Sequence, residues 1–225
     1  DVDNVATLLK ISRLLPDGLD LQPLLQEAKR QLHEEADYLL EGGHLKRFAV
    51  ALEESPEFLV PGVDEHFTRR NILAMDFLEG EPVESLVTAT QATRDRVAGL
   101  LLELFFRELF EFGMIQTDPN FANFLYNTGT RQLGLLDFGA TRRYPAAVIE
   151  AYRGLLEAAL CEDHEAMSAS AQAIGYFKED IHAQQRTAVM KLFVLATEPA
   201  RTRGCFDFGA SDLAVRLRDA GMALG

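Results

Sequence analysis

Three oxygen-bearing side chains define the chemistry available to this chain. Asp118-Pro119-Asn120-Phe121-Ala122-Asn123 sets a carboxylate and a carboxamide five positions apart, and Asp137-Phe138-Gly139 follows downstream. Asn and Asp are hard oxygen donors of the type that Mg2+ accepts alongside nucleotide phosphates. If the two segments form one hairpin, Asn123 and Asp137 meet at its open end, and Asp118 lies near the ion but free to face a nucleophile. That division of labour is phosphoryl transfer, with Asp118 as orienting group or base, Asn123 holding metal and Asp137 bridging it to phosphate.

The elements that must position these groups are readable from periodicity. Phe121–Tyr126 and Gln132–Phe138 are short strand-like runs joined by Asn127-Thr128-Gly129-Thr130, which predicts the hairpin. Arg94–Phe112 is predicted as a helix, because Val97, Leu100, Leu101, Leu104, Phe105 and Phe112 recur at helical spacing and Gly113 supplies a stop. Within it Glu103, Arg107, Glu108 and Glu111 read as a wet side. An earlier helix is expected from near Pro23 through Leu40, with Gly42-Gly43 weakening or bending it. Two strands are expected between Phe58 and Glu79, the second being Asn71–Leu78, with Glu79-Gly80-Glu81-Pro82 carrying the chain away from the sheet. From about Ala146 onward the pattern is helical. The fold class is therefore α+β, divided into residues 1–79 and a mostly helical 80–225.

Composition excludes several function classes. With 35 acidic against 22 basic residues and a net charge of −13, the surface repels phosphate backbones, so no nucleic-acid partner is expected. Cys161 and Cys205 are the only cysteines and fall in no C-x-x-C pattern, which points to a reducing compartment without a zinc site. No run approaches the roughly 20 apolar residues of a membrane span. The five histidines show no paired spacing, and G-x-S-x-G and Walker patterns are missing, so hydrolase and P-loop readings have no foothold. Asp207-Phe208-Gly209 is a second D-F-G without a preceding D-x-x-x-x-N, better read as a Gly-stopped loop packing Phe206 and Phe208.

Gln116-Thr117-Asp118-Pro119-Asn120-Phe121-Ala122-Asn123-Phe124 followed by Leu135-Leu136-Asp137-Phe138-Gly139-Ala140-Thr141-Arg142 resembles the ABC1/UbiB/COQ8 family of atypical kinases. Glu35-Ala36-Asp37 with Glu41, and Arg107–Phe112, resemble the same family in order. The resemblance implies a protein-kinase-like fold with a truncated N-lobe, ATP and Mg2+ as cofactors, and the catalytic aspartate at Asp118. It implies Mg2+ on Asn123 and Asp137, and Glu41 as the glutamate that pairs with a strand lysine. Glu35 and Asp37 match its E-x-D motif near the nucleotide, and Met75, Asp76 and Phe77 its hinge at the adenine. Charges spaced like Glu35, Asp37 and Glu41 are also what a solvated helix face presents.

The lysines are Lys10, Lys29, Lys46, Lys178 and Lys191, and none lies on a strand before the helix bearing Glu41. The family's K-x-G-Q segment would sit upstream of Asp1, so the chain is expected to be a piece of a longer protein. Thr117 replaces the arginine of H-R-D and no A-P-E follows, which disfavours a protein substrate. The resemblance implies slow ATP hydrolysis or phosphotransfer supporting ubiquinone biosynthesis. Expected partners are a lipid or quinone precursor, a membrane surface and other proteins of that pathway, in bacterial cytoplasm or the mitochondrial matrix. The alternative is a nucleotide- or lipid-binding module without phosphotransfer.

Overall fold

The structure is a computed structural model, and it describes Gln26, residues 37–118, 120–177 and 182–222. Glu35 and most of the helix expected from Pro23 lie outside the described residues. The chain divides into two compact units, Asp1–Arg143 and Tyr144–Gly225.

In the first unit, helix α1 (Tyr38–Ala51) opens on Asp37, whose carboxylate accepts the Leu39 N–H. It runs through Gly42-Gly43 without a break, contrary to the sequence expectation. Leu45 and Phe48 one turn further on are fully buried, and that packing outweighs the roughly 1 kcal/mol by which each glycine disfavours a helix. Gly42 also lies close to its neighbours, since a Cβ there would meet Val63 Cγ1 at 3.4 Å and Leu73 Cδ1 at 3.7 Å.

Strands β1 (Phe58–Leu59), β2 (Glu81–Pro82), β4 (Phe124–Asn127) and β5 (Gln132–Leu135) form a sheet in the order β1-β5-β4-β2. Strands β4 and β5 are the predicted hairpin, in register from Phe124 opposite Leu135 to Asn127 opposite Gln132. Its turn is held by the Asn127 carboxamide oxygen, which accepts from Gly129 and Thr130 N–H. Two expectations need correction. Glu81-Pro82 does not leave the sheet but pairs with Leu125 and Tyr126, as an edge position allows a proline. Asn71–Leu78 is not a strand. It makes only isolated bridges, Arg69 with Ile72 and Val63 with Met75, so no continuous ladder forms.

Helix α2 (Gln91–Arg107) continues into a π turn, Glu108–Phe112, that stops at Gly113 with φ 61°. Strand β3 (Met114–Gln116) follows and pairs antiparallel with β6 (Thr141–Arg143). The core joins α1, the sheet and α2 through Leu45, Phe48, Leu100, Leu104, Leu133 and Phe138. Arg107 ties the end of α2 to the segment that follows α1, donating to Ser55 Oγ at 2.6 Å.

The second unit is helical, with α3 (Ala146–Leu160), α4 (His164–Ile174), α5 (Ala183–Ala196), α6 (Glu198–Arg201) and α7 (Leu213–Met222). Its own core gathers Leu155, Ala159, Met167, Ala171 and Met190. Arg216 pairs with both carboxylate oxygens of Glu198, at 2.7 and 2.8 Å. Among the described residues no helix is long and apolar enough to cross a membrane.

Candidate active site

The open end of the β4–β5 hairpin brings the key side chains together. The Leu136 N–H donates to the Asn123 carbonyl at 3.0 Å, which extends the ladder one step beyond the strands. The Asn123 carboxamide then meets Asp137 Oδ2 at 3.3 Å. The Asn123 amide nitrogen donates; half a turn of the carboxamide presents its oxygen to the same space. Asp137 Oδ1 accepts the Gly139 N–H at 2.8 Å, closing the Asp-Phe-Gly segment into a tight turn. A Cβ on Gly139 would stand 3.3 Å from Asp137 Oδ1 and 3.7 Å from Glu41 Oε2.

Asp118 is exposed in the loop after β3. That loop is fastened beside the turn, because Thr117 donates to the Ala140 carbonyl from both its backbone N–H (3.2 Å) and its hydroxyl (2.7 Å). Thr117 thus does a positional job at a place where sequence reading noted only the lack of an arginine.

Glu41 on α1 faces the same turn and is 8% exposed. Burial pushes its carboxyl above the ordinary range, the negative charge of Asp137 pushes in the same direction, and a hydrogen bond from the Phe138 backbone partly offsets both. Among the described residues Glu41 forms no ion pair. One and two turns along the same helix, His44 Nδ1 lies 3.0 Å from the Phe138 carbonyl oxygen and the Phe48 ring centroid lies 4.5 Å from that of Phe138. Phe138 itself is 1% exposed. Helix α1 therefore grips the turn by carboxylate, imidazole and aromatic ring in succession.

Other predicted positions have different surroundings. Asp37 caps α1 and pairs with Arg70 at 3.1 Å. Asp76 answers Gly62 twice, its N–H donating to the Gly62 carbonyl at 2.9 Å and its carboxylate accepting the Gly62 N–H at 3.0 Å. Met75 is half-exposed and Phe77 projects outward, while the following Leu78 is buried against Gly134 of β5. The second triplet is a loop, with the Phe206 and Phe208 rings 4.8 Å apart and the Asp207 carboxylate engaged by Gly209 and Ala210 N–H.

Two participants were missed from sequence. Gln116 Nε2 donates to the Asp137 carbonyl. Glu108, expected on the wet side of α2, is 4% exposed, and its Oε2 accepts the Gln116 N–H at 3.0 Å. Burial pushes its carboxyl up to about 7, the Gln116 hydrogen bond acting against that. A signal existed in the spacing, since Val97, Leu100, Leu104 and Glu108 fall on one helical face.

Asp137 and Asn123 offer hard oxygen donors beside a buried acidic neighbour, a donor set that suits a divalent cation completed by water and phosphate oxygens. Among the described residues there is no cluster of three or more His, Cys, Asp and Glu able to hold an ion by themselves.

Comparison with known proteins identifies relatives of this chain. The chain is 34% identical to "Atypical kinase COQ8, mitochondrial" of Saccharomyces cerevisiae over 97% of its length, covering 44% of that protein. It is also 34% identical to "Atypical kinase COQ8B, mitochondrial" of Danio rerio, again over 97% of its length and covering 35% of that protein. It therefore spans less than half the length of these relatives. In fold it is similar to the Mycobacterium tuberculosis protein Rv3197, whose structure was solved with erythromycin, at a TM-score of 0.68 and 19% identity over 100% of this chain and 62% of that one. An α+β kinase-like architecture is thus shared. The family model described as the ABC1 atypical kinase-like domain matches residues 1–171, a span that contains the hairpin, the turn and helix α1, and the chain belongs to that family.

Proposed function

We propose that this chain is part of an atypical kinase or ATPase that takes Mg2+-ATP at Asp118, Asn123 and Asp137. The observation that carries the reading is the approach of Asn123 to Asp137 Oδ2 at 3.3 Å, with Asp118 tethered alongside through Thr117 and Ala140. Mg2+, when bound there, would neutralise charge on the phosphates. The chain's own groups do the rest. Asp137 is held by its turn and by Gln116, so its orientation is set before any ligand arrives, which is how preorganised electrostatics lower a barrier. Asp118 is exposed and positioned to orient an attacking hydroxyl or water. Glu41 gives α1 a means of sensing charge at Asp137. Met75, Asp76 and Phe77 are assigned to the adenine side, and Glu35 and Asp37 to the approach to the nucleotide.

The family supplies the biological setting. The relatives are named COQ8 atypical kinases of mitochondria, and the family resemblance ties such proteins to ubiquinone biosynthesis. A lipid or quinone precursor at a membrane surface, in a mitochondrion or its bacterial counterpart, is the partner this reading assigns, together with other proteins of the pathway.

A second reading, nucleotide binding without phosphotransfer, is favoured by one feature: among the described residues Glu41 has no cationic partner. Thermal unfolding with and without Mg2+-ATP, combined with measurement of ADP release, separates the two. At about 100-fold excess over Kd the ligand adds about 2.7 kcal/mol of stability, which Asp137→Asn should abolish. Stabilisation with ADP release supports the enzyme, stabilisation without it supports the binding module, and no stabilisation of the parent chain rejects both.

A further inference from the structure

We infer that Glu108 is a positioning residue for Asp137, acting through Gln116. The inference rests on the functional reading above only in taking Asp137 as the metal-facing group. Glu108 opens the π turn after α2 and is buried, an environment in which a carboxylate is costly unless it holds something. What it holds is the N–H of Gln116, at 3.0 Å. Strand N–H groups alternate in direction. Thr117 N–H turns toward β6 to reach the Ala140 carbonyl, so the Gln116 N–H points to the opposite side, where Glu108 meets it.

Fixing that N–H fixes the root of the Gln116 side chain, whose Nε2 donates to the Asp137 carbonyl. Gln116 is itself 8% exposed, so water has little access to replace either bond. Two consecutive residues therefore grip the two ends of the metal-facing turn. Gln116 takes the carbonyl of Asp137, Thr117 takes that of Ala140, and Glu108 anchors the first of them from behind. The carboxylate of Asp137 can then stay aimed at Asn123 while its carbonyl is held by Gln116.

The test measures Mn2+ affinity by electron paramagnetic resonance, in the presence of a non-hydrolysable ATP analogue. Glu108→Ala should weaken Mn2+ about 10-fold, the low end of what losing an outer partner of a metal ligand costs. Glu108→Gln, which can still accept the Gln116 N–H, should restore most of that. Gln116→Ala should weaken Mn2+ similarly, and Glu108→Ala added to it should weaken Mn2+ no further, although it still lowers the unfolding midpoint. A second measurement needs no metal: exchange of the Gln116 side-chain amide protons, slow in the parent chain and in Glu108→Gln, should become fast in Glu108→Ala. Unchanged Mn2+ affinity in Glu108→Ala, or the same loss with Gln116 already removed, overturns the inference. If the parent chain takes up no Mn2+ with the analogue, the functional reading falls. The amide exchange then decides the Glu108–Gln116 link alone, fast exchange in Glu108→Ala supporting it and retained protection overturning it.

Discussion

Replacing Glu108 by glutamine should change how the stability of this chain depends on pH. The carboxyl ordinarily titrates at 4.5 and is pushed up to about 7 by burial. At about 1.4 kcal/mol per pH unit, that interval amounts to about 3 kcal/mol. Its sign follows from linkage. The folded chain holds the Glu108 proton more tightly than the unfolded chain does, so the stabilisation is fully present below pH 4.5 and is lost as pH rises through about 7. Between pH 5.5 and pH 8.5 about 2 kcal/mol of it should disappear. Glu41 is also raised and acts in the same direction, but it is present in both proteins and cancels in the difference. Urea unfolding of the parent chain and of Glu108→Gln at the two pH values should therefore show the parent losing about 2 kcal/mol more than the variant. Parallel losses would refute the argument, because they would mean that Glu108 titrates in the folded chain as it does in water.

Three further outcomes follow from the geometry. Gly43→Ala should stabilise the chain by about 0.5–1 kcal/mol in urea unfolding, since a Cβ there meets nothing within 4 Å. Phe48→Ala should destabilise it by about 3–5 kcal/mol in the same experiment, because Phe48 is fully buried against Phe138 and Phe112. Asp207→Asn should leave Mg2+-ATP stabilisation in thermal unfolding at the parent level while Asp137→Asn removes it; equal losses would contradict the assignment of chemistry to the first triplet alone.

Much of this arrangement was legible because its signals are local. The hairpin announces itself by two apolar runs around Asn127-Thr128-Gly129, and its register follows from the turn. Helix α2 was equally plain, since its buried stripe repeats at helical spacing. What escaped reading depends on contacts far away in sequence. Gly42-Gly43 looked like a weak point because propensity is local, whereas Leu45 and Phe48 hold α1 by packing on the sheet and α2. Met75 and Phe77 stand two apart like residues on one face of a strand, yet both are substantially exposed, and a strand needs a partner that the segment lacks beyond single bridges. Glu108 was hidden by its charge: a glutamate in an amphipathic run is usually on the outside, and only its phase with Leu100 and Leu104 contradicts that. Of the site residues, Asn123 and Asp137 were predictable neighbours across a hairpin, but the grip of His44 and Gln116 on the turn carries no pattern in the sequence.

The carboxylate of Asp137 is not symmetric in its obligations. One oxygen is tied to the Gly139 N–H at 2.8 Å while the other looks toward Asn123 at 3.3 Å, so the second is the less committed of the two. Calcium gathers six to eight oxygens and often takes both from one carboxylate, whereas magnesium is content with one oxygen per carboxylate in a small octahedron shared with water. Under the proposed function, a carboxylate already committed on one side favours the one-oxygen mode of the smaller cation.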